Sequence, residues 1–94
     1  MSTSRAYYGA FNTCRIYIGG VEGRTDVHKL VIDRLKESEN RKEVSVGNHL
    51  DNLREKRTHA DYNGFDPPSK RDTEKNVEIA FRILHLIDEL RREQ

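Results

Sequence analysis

Apolar residues recur every three to four positions along most of this chain, and no strand-like alternation with hairpin turns occurs anywhere. The first periodic run is "SRAYYGAFNTCRIYI", in which Tyr7, Phe11, Cys14 and Ile18 share one helical stripe that Ala6, Ala10 and Tyr17 widen. Ser4 stands where a helix cap would, and Gly19-Gly20 ends the run. After the polar stretch "GGVEGRTD", Thr25 or Asp26 caps a second helix whose buried side is Val27, Leu30, Val31 and Leu35. "KESENRK" reads as the next loop. A third helix is predicted from about Val44 to Asn63, with Gly47 a weak spot near its start. "NGFDPP" stops it, because both prolines lack the amide that a continuing helix needs. A fourth helix is predicted from about Asp72 to about Arg92.

The fourth helix differs from the others. Val77, Ile79, Ala80, Phe81, Ile83, Leu84, Leu86, Ile87 and Leu90 cover nearly all its sides, and a helix apolar most of the way round is buried on two faces. In so small a bundle the second face is expected to meet another subunit. The fold class is all-α, in one domain spanning residues 1–94.

Composition narrows the function classes. With 34% hydrophobic and 35% charged residues in 94, the chain is lean for a self-sufficient globule, which again points to apolar surface buried on a partner. The net charge of +1 excludes a basic nucleic-acid tail, so any such contact must come from a local cluster such as Arg54, Lys56 and Arg57. One cysteine, Cys14, allows no internal disulfide, and no apolar run approaches membrane-spanning length. With no signal peptide ahead of the first helix, a cytoplasmic protein without membrane contact is expected. The four histidines (His28, His49, His59 and His85) and Cys14 lack short metal-ligand spacing, so neither a metal nor a cofactor is expected.

The polar residues of "LREKRTHADY", Leu53 to Tyr62, sit inside an amphipathic pattern. On a helical wheel, Val46, Leu53 and Ala60 fall within roughly 80° of Leu50 and define the core stripe. Arg57 and Asp61 each land about 20° from Leu50, in the middle of that stripe, and their spacing of four lets a carboxylate meet a guanidinium. Arg54 lies at the stripe's edge, and His59 points almost the opposite way. Two readings follow. Arg57 and Asp61 are an ion pair that fixes helix packing, or they belong to a cleft. Lys56 and Glu55 read as a solvated face.

"SRAYYGAF" followed by "LREKRTHADY" resembles the HEPN superfamily, small helical proteins often encoded beside minimal nucleotidyltransferases. The likeness is to the branch carrying S-R-A-Y-Y-x-x-F and L-R-x-x-R-x-x-A-D-Y, and His28 sits where that branch often has a histidine opening the next helix. The resemblance implies an antiparallel helical bundle that forms a homodimer. Members usually have a helix upstream of the first motif, and only "MST" stands there here, so a four-helix bundle lacking that helix is expected.

For active members the resemblance also implies metal-independent RNA cleavage through an R-x4-6-H motif, which Arg54 and His59 match with four residues between them. A histidine exchanges protons near neutral pH, and an arginine can brace the charge that grows on a phosphate under attack by a ribose 2′-hydroxyl. Arg57, Asp61, Tyr62, Tyr8 and Asn12 would line and order the cleft. The motif also fits a second register, in which Arg57 takes the arginine role and Tyr62, five residues on, replaces the histidine. On a straight helix Arg54 and His59 are about 140° apart and about 7.5 Å apart along the axis, so converging on one phosphate takes a site shared across a two-fold axis.

The function expected is thus a toxin or defence ribonuclease acting on single-stranded RNA, paired with a minimal nucleotidyltransferase as antitoxin. The alternative is a non-catalytic HEPN module whose cleft holds nucleotide or that nucleotidyltransferase; a plain oligomerisation bundle is a third. Tyr7, Phe11 and Cys14 read as core, with Cys14 an inert thiol. Tyr8 and Asn12, on one face with Arg5 and Arg15, read either as cleft lining or as solvated groups. His85 reads as an interface histidine and His28 as a structural one.

Overall fold

A computed structural model describes residues 2–20, 26–62 and 70–93, with backbone alone for 59–62. These residues form a helical bundle of α1 (Thr3–Ile18), α2 (Val27–Lys36), α3 (Arg41–Tyr62) and α4 (Lys70–Arg92), with no strand among them.

α1 and α3 each begin at a side chain that caps the first turn. α1 starts ahead of Ser4: the Ser2 hydroxyl accepts the Arg5 amide at 3.2 Å, the usual N-cap bond. Its first residue, Thr3, is buried and accepts a 3.1 Å hydrogen bond from the Asn76 amide on α4, so docking holds that turn in place. Gly19 ends the helix at φ 71°, a backbone region glycine reaches without steric cost, and its amide bonds back to the Arg15 carbonyl.

Asp26 occupies the cap position of α2, as expected, but at φ 51° and with no capping bond from its side chain. α3 starts three residues before Val44. Asn40 is the cap, accepting from the Lys42 amide at 2.9 Å, and the Asn40…Glu43 spacing is a start signal that hydrophobic periodicity alone passes over. The Glu43 carboxylate turns outward from that box, to the Ser38 hydroxyl at 3.1 Å and the Tyr17 hydroxyl at 3.2 Å.

The core takes Tyr7, Ala10, Phe11 and Cys14 from α1, Val31, Ile32 and Leu35 from α2, Val46, Leu50 and Leu53 from α3, and Ala80, Ile83, Ile87 and Leu90 from α4. On α2 the buried stripe is turned slightly from the expected one. Ile32 is buried, whereas Val27 and Leu30 only pack against the core's margin. Gly47 is the contact point of α3 with α2. A β-carbon there would lie 2.9 Å from Leu35 Cβ and 2.9 Å from the Lys36 backbone nitrogen, so the glycine is a spacer rather than a defect.

Two sets of contacts fix the ends. Lys42 at the start of α3 pairs with Glu89, 3.4 Å away, and with Glu93, both at the end of α4. Lys36, closing α2, pairs with Asp51 in the middle of α3. The α4 helix buries one broad face, while Val77, Ile79 and Leu84 are half-buried and Phe81 is 58% exposed. Its second apolar edge therefore stays on the surface of the single chain. His85 also faces solvent, with Nε2 2.8 Å from the Glu89 carboxylate one turn on. Among the described residues, no helix is long and apolar enough to cross a membrane.

Candidate functional site

Tyr7, about one turn past the α1 start, sends a fully buried ring into the bundle, and its neighbour Tyr8 faces the rim, 41% exposed. Successive residues of a helix point about 100° apart, so one Tyr-Tyr pair serves the interior and the surface at once. Across from them, Arg57 on α3 donates from Nη1 to the Tyr8 hydroxyl at 2.7 Å. Its guanidinium carbon lies 5.4 Å from the Tyr7 ring centre and 5.3 Å from that of Tyr8. A cation over aromatic faces contributes roughly 0.5–2 kcal/mol, more as water is excluded. Arg57 thus occupies the core stripe by packing on rings. The expected partner, Asp61, has its side chain outside the described residues.

The third side of the cluster is His28, the second residue of α2. Its Nδ1 lies 2.6 Å from the Tyr7 hydroxyl. The imidazole stacks on Phe11, with centroids 4.1 Å apart and planes 17° apart, and meets the edge of Tyr8 at 6.1 Å. Of the contacts α1 makes, that with α2 is the slightest. His28 carries much of it.

Charge and burial set the protonation states. Burial pushes the Tyr7 hydroxyl up to about 12, against the pull of the Arg54 and Arg57 charges, so the phenol keeps its proton at neutral pH. Burial, then Arg54 and Arg57, lower the pKa of His28, and Asp26 opposes them weakly. The imidazole is therefore neutral at neutral pH. Cys14, pushed up to about 12 by burial, is the inert thiol its position suggested.

Arg54 lies one turn before Arg57, half-buried, and lines an open hollow of about 450 Å³ with Asp51, Glu55 and Thr58. Asp51 is engaged by Lys36, which leaves the arginine as the cation of that hollow's inner wall. Asn12, one turn along α1 from Tyr8, is exposed.

Of the residues singled out from sequence, the structure brings Tyr8, Arg54 and Arg57 to one corner. His59, Asp61 and Tyr62 lie in the last turns of α3 with side chains outside the described residues. His28 is the residue that sequence reasoning undervalued. A signal was present: His28 is three and four positions before Val31 and Ile32, on the helix's own buried stripe.

Chemically the described corner is a set of donors on an aromatic base. The Arg57 guanidinium, the Tyr8 phenol and the His28 imidazole meet, and the Arg54 charge acts on the same imidazole from one turn earlier on α3, a chemistry suited to a phosphate or another oxyanion. No cluster of three or more histidine, cysteine, aspartate or glutamate side chains among the described residues could hold a metal ion. Comparison of the chain with protein-family models, with curated proteins and with solved structures finds no match.

Proposed function

We propose that this chain is an antiparallel, HEPN-like four-helix module that binds single-stranded RNA at the α1–α2–α3 corner and cleaves it without a metal. The observation that carries the reading is the meeting of the two motifs: Arg57 of "LREKR" bonds Tyr8 of "SRAYY" at 2.7 Å, with Arg54 one turn earlier on α3, where it lines a hollow with Asp51, Glu55 and Thr58. The antiparallel arrangement is supported by end-to-end contacts, Tyr17 with Glu43 and Lys42 with Glu89.

In this reading His59 takes the proton of the ribose 2′-hydroxyl as its oxygen attacks phosphorus. The bond from phosphorus to the 5′-oxygen breaks, that oxygen takes a proton from water, a cyclic phosphate remains, and His59 returns its proton to the solvent. Arg54 balances the charge on the phosphoryl oxygens. Arg57, Asp61, Tyr62, Tyr8 and Asn12 shape the cleft. The protein works as a cytoplasmic homodimer, its toxin activity restrained by a minimal nucleotidyltransferase. The exposed Phe81 edge of α4 supports the dimer, since it is a large apolar side chain, like Ile16 of α1, that the single chain leaves uncovered.

One observation favours a second reading, a non-catalytic module holding nucleotide or the nucleotidyltransferase. The described corner offers donors, and its one histidine already engages Tyr7. A cleavage assay on single-stranded RNA in the presence of chelator decides. Wild type should cut, and Arg54→Ala and His59→Ala should each abolish cutting with the fold retained. If His59→Ala cuts normally while Arg57→Ala or Tyr62→Phe does not, the shifted register is correct. A wild type that binds RNA but never cuts it leaves the binding module.

A further inference from the structure

Building on the RNA-binding reading above, we propose that His28, with Arg54 and Arg57, forms a phosphate-binding corner in which the His28 Nε2–H donates to a phosphodiester oxygen and the exposed Tyr8 ring supports the adjoining base.

The tautomer follows from the hydrogen bond. The Tyr7 hydroxyl is buried and holds its proton, and a buried hydroxyl proton needs an acceptor. Its neighbours Arg54 and Arg57 are donors only, and His28 Nδ1, at 2.6 Å, is the acceptor the structure gives it. In a neutral imidazole one nitrogen accepts and the other carries the hydrogen. Nε2 therefore bears it. His28 acts here as a donor of fixed direction, because stacking on Phe11 at 4.1 Å holds the ring plane and Tyr7 holds its rotation.

The complement of this donor is an anion. Among the described residues, the charged and titratable groups facing His28 are Arg54 and Arg57 from α3, Tyr7 and Tyr8 from α1, and Asp26 at the head of its own helix. At His28 the charges of the two arginines act in the direction that an anion would oppose. A phosphate in place would also offset the Arg54 and Arg57 charges, which after burial are what disfavours a second proton on His28, so binding raises that group's proton affinity. Tyr8 adds a ring that is 41% exposed beside Arg57, a surface on which a base can stack. Sequence-tolerant stacking next to a fixed phosphate donor is the chemistry of single-stranded nucleic acid.

The test follows the His28 imidazole by NMR through a pH titration of the wild-type protein, alone, with inorganic pyrophosphate, and with a short unstructured oligouridylate. Both probes should move its midpoint upward. His28→Asn keeps an acceptor toward Tyr7 but loses the remote N–H, and should weaken oligouridylate binding about tenfold. His28→Gln, which can place an N–H near the Nε2 position, should keep most of the affinity. Arg82→Ala, an exposed α4 residue near His49 and outside this corner, should change nothing.

Oligouridylate that binds without moving His28 overturns this assignment and leaves the RNA reading standing. Pyrophosphate that moves His28 while oligouridylate fails to bind keeps the anion corner and removes the RNA reading. If neither probe binds, both fall. Should His28→Asn fail to fold, the wild-type titration decides alone.

Discussion

Arg57 reaches across from α3 to place its guanidinium against two consecutive tyrosines of α1, donating to the hydroxyl of Tyr8 and lying over the ring of Tyr7. One residue of the central segment is thereby tied to both residues of the Tyr-Tyr pair, of which Tyr8 is 49 positions away. Tyr8→Phe removes the hydrogen bond and leaves the ring, and should cost about 0.5–1.5 kcal/mol. Arg57→Ala removes the bond and both ring contacts, and should cost roughly 2–3 kcal/mol. Urea unfolding of the two variants measures the difference. Equal costs would mean that the guanidinium gains nothing from the rings.

Two glycines in helices should respond in opposite directions to the same change. Gly47→Ala drives a β-carbon to 2.9 Å from the backbone of Lys36 and should destabilise the bundle by about 1–3 kcal/mol, as overpacking does. Gly9 has nothing within 4 Å of its added carbon, and Gly9→Ala should stabilise α1 by roughly 0.5–1 kcal/mol. Thermal unfolding of both variants is the check. A stable Gly47→Ala would show that α2 and α3 do not approach this closely.

Burial of Tyr7 and His28 makes stability depend on pH at both ends of the scale. The folded pKa of His28 lies below its ordinary 6.5, so the unfolded chain binds the extra proton first. Stability from this group is present above 6.5 and is lost as pH falls toward the folded value. Tyr7 works the other way: its folded value of about 12 exceeds the ordinary 10.0, so its contribution holds below pH 10.0 and disappears as pH rises through about 12. Denaturation curves across pH should show an acid slope that His28→Gln flattens and an alkaline slope that Tyr7→Phe flattens. An unchanged acid slope in His28→Gln would assign the effect to other groups.

The uncovered edge of α4 gives the proposed dimer its sharpest test. Phe81, 58% exposed between half-buried Val77 and Leu84, is the side chain whose burial a second copy would gain. Phe81→Asp should weaken self-association by about a hundredfold or more while leaving the bundle folded, since a charge would enter a desolvated contact. Sedimentation at micromolar concentration reads it. A wild type that sediments near 11.0 kDa would remove the dimer and the shared site together.

Local pattern determined the elements and most of the core. The stripe of Tyr7, Phe11 and Cys14, and that of Val46, Leu50 and Leu53, are buried as their spacing requires, because a helix puts residues three and four apart on one face regardless of what it meets. The same geometry placed Arg57 inside the apolar stripe. It could not say that Tyr8 and the Tyr7 ring would receive it, since that depends on how α1 docks against α3. Asn40 and Glu43 carried the start of α3 in the sequence, but Ser38 and Tyr17 decided where the Glu43 carboxylate went. Gly47 looked like a weak helix position until Leu35 and Lys36 were beside it. His28 shows the division most clearly. Its place on the stripe of α2 was legible, but its hydrogen bond to Tyr7 joins residues 21 apart, and only docking of the two helices turns a buried-side histidine into a fixed donor at a positively charged corner.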